Sequence, residues 1–157
     1  LKDLSEQIIK NLPYGDSFRF VDEIRSVSAS AIEGKYTFSP ASYFYQSHFK
    51  DHPVTPGVIL TECMAQIGLV CFGIFLLHVK GEGDIESEIF SSDLKKLKIA
   101  FTESHVVFEK AVYPGETVII KAEKVYWRMG KLKCSVMMQN NSGEKLCYGE
   151  MSGIIKI

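Results

Sequence analysis

Hydrophobic and polar positions along this chain follow two periods, and the switches between them mark its elements. Leu1, Leu4, Ile8, Ile9 and Leu12 recur at helical spacing until Pro13, which predicts a short amphipathic helix over LKDLSEQIIKNLP. SFRFVDEI and then SVSASAIEGKYTFS carry apolar residues with patches of alternation, and predict two antiparallel strands. SPASYFYQSHF, aromatic and punctuated by Pro40, predicts a helical turn or loop laid over something apolar. From Gly57 to about Leu77 the pattern is apolar nearly all round and free of proline. That is a helix of about 30 Å at about 1.5 Å per residue, and it must be wrapped on most sides. KGEGDIESEIFSSD, charged and aperiodic, predicts a solvated loop, the most mobile part of the chain. Four strand-like runs follow, divided by Pro114-Gly115, Gly130 and Asn141-Ser142-Gly143, and predict a meander.

A helix apolar all round cannot rest on an ordinary sheet that leaves one face open. The expected fold is therefore α+β: a mostly antiparallel sheet curled around one central helix, in a single domain of 157 residues. The Val58 to Leu77 run is also long enough to span a bilayer. Glu62 and Gln66 within it, and the strand pattern after Leu94, favour a buried core helix over a membrane span.

Net charge is −1, from 18 Lys plus Arg against 19 Asp plus Glu, so no overall field draws the protein to nucleic acid or anionic lipid. Cys63, Cys71, Cys134 and Cys147 are scattered, with no C-x-x-C pair and no leader-like opening, and reduced cytoplasmic thiols are the expectation. Cys63 and Cys71, inside the apolar run, read as small packing residues rather than nucleophiles.

The chemistry concentrates in HFKDHPVTPGVILTECMAQ, residues 48–66. His48, Asp51 and His52 raise the question of a metal. Pro53 biases His52 away from helical geometry and no third histidine or cysteine stands at a ligand spacing, so no metal and no cofactor are expected. Pro53 and Pro56 stiffen the chain before Gly57, which opens the helix. The turn is ordinary helix punctuation on spacing alone; alternatively, the unpaired N–H groups of a helix start, unobstructed at Gly57, bind a substrate oxygen. Glu62 sits among Val58, Ile59, Leu60, Cys63, Met64 and Ala65, where poor hydration favours the neutral carboxylic acid that a general acid requires. Gln66, one turn on, is placed to hold it. The alternatives are a carboxylate favoured by the helix macrodipole or a core glutamate satisfied by a partner. His48, largely neutral at pH 7, is a candidate base.

From His48 to Gln66 the stretch H-F-x-x-x-P-V-x-P-G-V-I-L-x-E-x-M-A-Q resembles the active-site segment of the 3-hydroxyacyl-(acyl carrier protein) dehydratases. LPYGDSFRFVD at 12–22 and FEKAVYPGE at 108–116 resemble further motifs of that family, in the right order. The resemblance implies a hot-dog fold and a homodimer with active sites at the interface. It also implies His48 as the base, a Glu62 contributed by the other subunit, and Gly57 N–H as the group that binds the thioester carbonyl. Gln66, Phe49 and Val58 complete the expected substrate-binding set, with Phe44, Phe49 and Met64 as possible walls of an acyl tunnel. Glutamate at 62 resembles the dehydratase-only branch.

Lys50, Ser47, Cys63 and Tyr14-Gly15 depart from the family's usual residues, and none removes a catalytic group. The expected partner is acyl carrier protein; Lys95, Lys96 and Lys98 are either its docking charges or an ordinary solvated strand edge. The expected activity is dehydration of a 3-hydroxyacyl thioester, with a hot-dog thioesterase or a non-catalytic acyl-binding partner subunit as alternatives.

Overall fold

Helix α1 (Lys2–Lys10) turns Ile8 into the core and lies along strand β1 (Glu23–Val27). The structure, a computed structural model, describes residues 2–80, 84–85 and 96–157. Strand β2 (Ala31–Thr37) pairs antiparallel with β1. The central helix, Gly57–Leu77, is α-helical over Gly57–Ala65 and again over Phe72–Leu77, with a wider π-helical turn at Gln66–Cys71 between them. Two two-residue strands, β3 (Val79–Lys80) and β4 (Asp84–Ile85), follow it. The expected loop from Lys80 to Asp93 otherwise lies outside the described residues.

Strands β5 (Lys98–Phe108), β6 (Thr117–Arg128), β7 (Lys131–Asn140) and β8 (Lys145–Lys156) complete a six-stranded antiparallel sheet in the order β1-β2-β6-β7-β8-β5. The sheet wraps the helix as the hydrophobic pattern required. Its inward residues Val118, Ile120, Ala122, Leu132 and Val136 join Ile67, Leu69, Val70 and Phe72 of the helix in one core. Burying each large aliphatic side chain contributes about 1.5–3 kcal/mol, so a helix with this sequence is stable only inside such a wrap.

Two expectations change. The four last strands are not a simple meander: β6, β7 and β8 follow one another, but β5 crosses to the far edge and pairs with β8. The stretch from 109 to 116 is too long for a tight hairpin. It is also held elsewhere, since Thr55 N–H donates to Val112 O (2.8 Å) and Phe38 N–H to Glu116 O (3.0 Å). The first strand is likewise not SFRFVDEI. Residues 16–18 form a 3₁₀ turn and β1 begins only at Glu23, because Phe18 O and Phe20 N–H bond to the side chain of Gln66 instead of to a strand.

The two sheet edges differ. On β1, Ile24 N–H donates to Ser5 Oγ of α1 (3.0 Å), so the helix covers that edge. On β5, Phe101, Val107 and Phe108 are exposed alongside polar residues such as Glu103 and His105, and an edge strand left open among the described residues is a template for pairing with another chain.

All four cysteines are buried and unpaired. Burial pushes every thiol up, Cys134 and Cys147 to about 12, and so keeps them in the unreactive protonated form.

Strand β8 approaches β5 so closely that a Cβ at Gly149 would run into the carbonyl of His105. Gly149→Ala is expected to lower stability by about 1–3 kcal/mol or more through backbone displacement. By contrast Gly15, at φ −68° with open space around it, should accept alanine with a gain of about 0.4–1 kcal/mol. Urea unfolding of the two variants checks both signs.

Candidate active site

The loop ahead of the central helix fixes His48. A 3₁₀ turn at Tyr43–Gln46 buries Phe44 and Tyr45 and lets His48 N–H donate to Phe44 O (2.9 Å). Tyr45 Oη and Thr55 Oγ1 share a 2.6 Å hydrogen bond that closes the loop. The His48–Phe49 peptide is cis, and the two rings stack with centroids 4.0 Å apart. His48 Nδ1 lies 2.8 Å from Val54 O. A carbonyl only accepts, so Nδ1 carries the hydrogen and the neutral ring presents Nε2 as its basic nitrogen. His52 is exposed and bonds to Phe49 only through backbone groups.

The two prolines then aim the helix start. Ile59 and Leu60 N–H both turn to Pro56 O, which leaves Gly57 and Val58 N–H without an acceptor among the described residues. Gly57 is half-buried, and a Cβ on it would come 3.2 Å from the ring of Phe108. The absence of a side chain there lets the aromatic ring of β5 lie against the helix start. Val58, 76% exposed, and Phe49, 56% exposed, stand outside the core.

Glu62 is half-buried one turn on, and Gln66 Nε2 donates to its Oε1 (2.9 Å). Gln66 itself is fully buried. Its Nε2 also donates to Phe18 O (2.8 Å), and its Oε1 accepts Phe20 N–H (2.7 Å). Both amide hydrogens are engaged and the side chain is sealed from solvent, so Gln66 holds the Glu62 carboxyl group in place. Cys63 Sγ adds a bond to Phe20 O (3.4 Å), so the departure from the family's usual residue at 63 helps strap the opening loop to the helix. Lys50 and Ser47 are exposed.

Glu62 stands where two spaces meet. On one side is an open groove of about 590 Å³ lined by Gly57, Val58, Thr61, Glu62, Phe101 and Phe108 among others, within the usual range for a ligand site. On the other is a narrow cavity of about 40 Å³ between the helix, β5 and β8, bordered by Tyr14, Leu69 and Ile155. His48 lines neither space. The chain thus brings Gly57, Val58, Glu62 and, behind them, Gln66 together, and leaves His48 and Phe49 apart from the groove. Phe44 and Met64, possible tunnel walls by sequence, are buried core residues that line neither space. Lys96 and Lys98 are exposed at the head of β5, and Lys95 lies outside the described residues.

Tyr14 is the residue that motif reading passed over. It differs from the family's usual residue, which was the one signal available. Burial first, and then the charge of Glu62, push its phenol well above the ordinary range, consistent with its place beside the carboxyl group in the narrow cavity.

A family model for the FabA-like domain matches residues 12–147. The 3-hydroxyacyl-[acyl-carrier-protein] dehydratase FabZ of Caldicellulosiruptor bescii is 30% identical over 154 residues, 96% of this chain and 97% of that protein. Among solved structures, the dehydratase heterocomplex ApeI:P from Xenorhabdus doucetiae superimposes with a TM-score of 0.73 at 14% identity, covering 96% of this chain and 91% of that one. A hypothetical thioesterase with coenzyme A from Streptococcus pneumoniae superimposes with a TM-score of 0.57 at 15% identity, over 85% and 84% of the two chains. At these identities the two structures show the hot-dog fold alone.

Gln66→Leu would leave Phe20 N–H and Phe18 O without their partner. Each such group costs about 1–3 kcal/mol, so the variant is expected to lose about 2–5 kcal/mol in chemical denaturation, although leucine fills the space.

Proposed function

The chain belongs to the FabA-like family, and from that premise we propose that it is a hydro-lyase acting on a 3-hydroxyacyl thioester carried by acyl carrier protein. Its products are water and the trans-2-enoyl thioester, in fatty-acid or related lipid synthesis; the FabZ relatives carry this activity in their names. The observation that carries the reading is a carboxyl group held by Gln66 in a mostly apolar groove that the helix start also lines.

The chemistry follows from the groups present. The thioester oxygen accepts from Gly57 N–H, where the helix start stabilises the negative charge that develops on it. His48 Nε2 takes the proton from the carbon next to the carbonyl. The electron pair left there forms the new carbon–carbon double bond as the C3–O bond breaks, and Glu62 gives its proton to the departing hydroxyl. The histidine proton then returns to Glu62, which restores both groups. Each acid/base group contributes about 10² to 10⁴ in rate. Val58 and Phe49 flank the bound acyl group, and Gln66 acts through Glu62.

His48 lies outside the groove of its own chain, and β5, whose edge is uncovered among the described residues, lines that groove. Both facts support a homodimer in which a second copy docks on β5 and supplies its His48 and Phe49 to the Glu62 of the first. Exposed Lys96 and Lys98 support docking of an acidic carrier protein. The buried, unpaired thiols support a reducing, cytoplasmic location.

Incubation with a 3-hydroxyacyl carrier-protein thioester should give loss of water by mass, and His48→Ala and Glu62→Gln should each lower that rate about 10² to 10⁴-fold. Release of free acid instead would favour a thioesterase, and no turnover at all would favour a non-catalytic acyl-binding subunit. Val107→Lys, which places a charge on the open edge, should shift the protein toward monomer in light scattering and lower activity with it. An active monomer would refute the shared site.

A further inference from the structure

The two spaces at Glu62 are very unequal. Where the groove in front of the carboxyl group measures about 590 Å³, the cavity behind it measures about 40 Å³. Leu69 and Val70, nearly fully buried, face it from the helix, and Ile155 from β8. These walls belong to the core and to paired strands, so they do not withdraw without cost. Tyr14 is different. It sits on the connection after α1, only part-buried, with its ring 6.3 Å from that of Phe18. Its backbone lies outside both the helix and the sheet. Phe18 O, four residues on, is tied to Gln66, so the same amide that holds Glu62 also holds the base of the loop that carries Tyr14.

We propose that Tyr14 is a specificity-determining residue: its ring stands in the space behind Glu62 and restricts the enzyme to 3-hydroxyacyl thioesters with short acyl tails. This inference rests on the dehydratase reading and adds to it that the first three acyl carbons lie in the groove and the tail runs past Glu62. The size of the tail follows from volume. An apolar cavity of about 150 Å³ takes up benzene, six carbons. At the same density, 40 Å³ admits one or two carbons, and the acyl group is then about four to five carbons long. Removing the Tyr14 ring would free a space on the order of 150 Å³ in the same direction, enough for several more methylenes.

The apolar lining bears on substrate chemistry as well. Among the described residues that border the cavity, every side chain apart from Tyr14 and Glu62 is aliphatic or aromatic. The tail it receives is therefore a hydrocarbon and not a charged or hydroxylated chain, since a buried polar group without a partner is costly.

The test compares 3-hydroxybutyryl, 3-hydroxyoctanoyl and 3-hydroxyhexadecanoyl carrier-protein thioesters on the wild type, Tyr14→Phe and Tyr14→Ala. The wild type should favour the four-carbon over the sixteen-carbon substrate by about 10²-fold or more in kcat/KM. A longer tail meets walls that do not withdraw, so the preference should already be visible at eight carbons. Tyr14→Phe should keep the wild-type length ratio, and Tyr14→Ala should move it toward eight carbons by about tenfold or more. A purely structural role for Tyr14 would lower all three rates together and leave the ratio unchanged, which would overturn the proposal. So would a wild type that handles all lengths equally.

Calorimetry with butyryl- and octanoyl-pantetheine, which lack the hydroxyl and cannot be dehydrated, reads the cavity without the chemistry. Tighter wild-type binding of the butyryl compound, relaxed in Tyr14→Ala, supports the proposal even if no water is ever lost, a result that would sink only the dehydratase reading. Equal binding of both lengths by the wild type overturns it.

Discussion

One buried amide joins the parts of the site. Gln66 lies inside a helix that is apolar on nearly every side, and all of its bonds run to groups that the site needs: the carboxyl of Glu62, Phe18 O and Phe20 N–H. A buried polar side chain is tolerable only when it is satisfied, so the opening loop and the carboxyl group are locked in place together. The π-helical turn begins at this residue, and such turns recur where a helix must serve a function as well as pack. Losing the amide would loosen the loop and the acid at once, which makes stability and catalysis hard to separate at this position.

The second constraint comes from the sheet. A curled antiparallel sheet has two edges, and among the described residues only the first is covered. Ser5 occupies the outward N–H of Ile24 on β1, whereas β5 presents Phe101, Val107 and Phe108 to solvent. The groove that Glu62 lines is bordered by the same strand. A site that must exclude water to make its electrostatics effective gains from being closed by another surface, and the proposed pairing of two copies supplies both the closure and the missing imidazole.

His48 illustrates how much local geometry a short motif can carry. Val54 O fixes its tautomer from six residues away, with Phe44 and Tyr45 burying the turn before it. These contacts are all short in sequence, so the imidazole is oriented within one loop, independent of where Glu62 lies. Glu62, in contrast, depends on Phe18 and Phe20, more than forty residues away, through Gln66.

That division also describes what could be read from the sequence. The apolar helix, the need for a sheet to wrap it, the Pro-x-x-Pro-Gly entry and the pairing of Gln66 with Glu62 at i, i+4 were all legible, because periodicity and spacing along one chain dictate them. The placement of β5 beside β8, the replacement of an early strand by a loop bonded to a side chain, and the separation of His48 from the groove were not. Each depends on which backbone group finds which partner across long sequence separations. Tyr14 belongs to the same class: one residue in a connecting loop by sequence, and the border of a 40 Å³ cavity only once the helix, β5 and β8 have come together around it. The sequence by itself determined the elements and the reactive groups, since these follow from local pattern; only tertiary structure decided the shape of the space between them, because packing is set by contacts that no local pattern records.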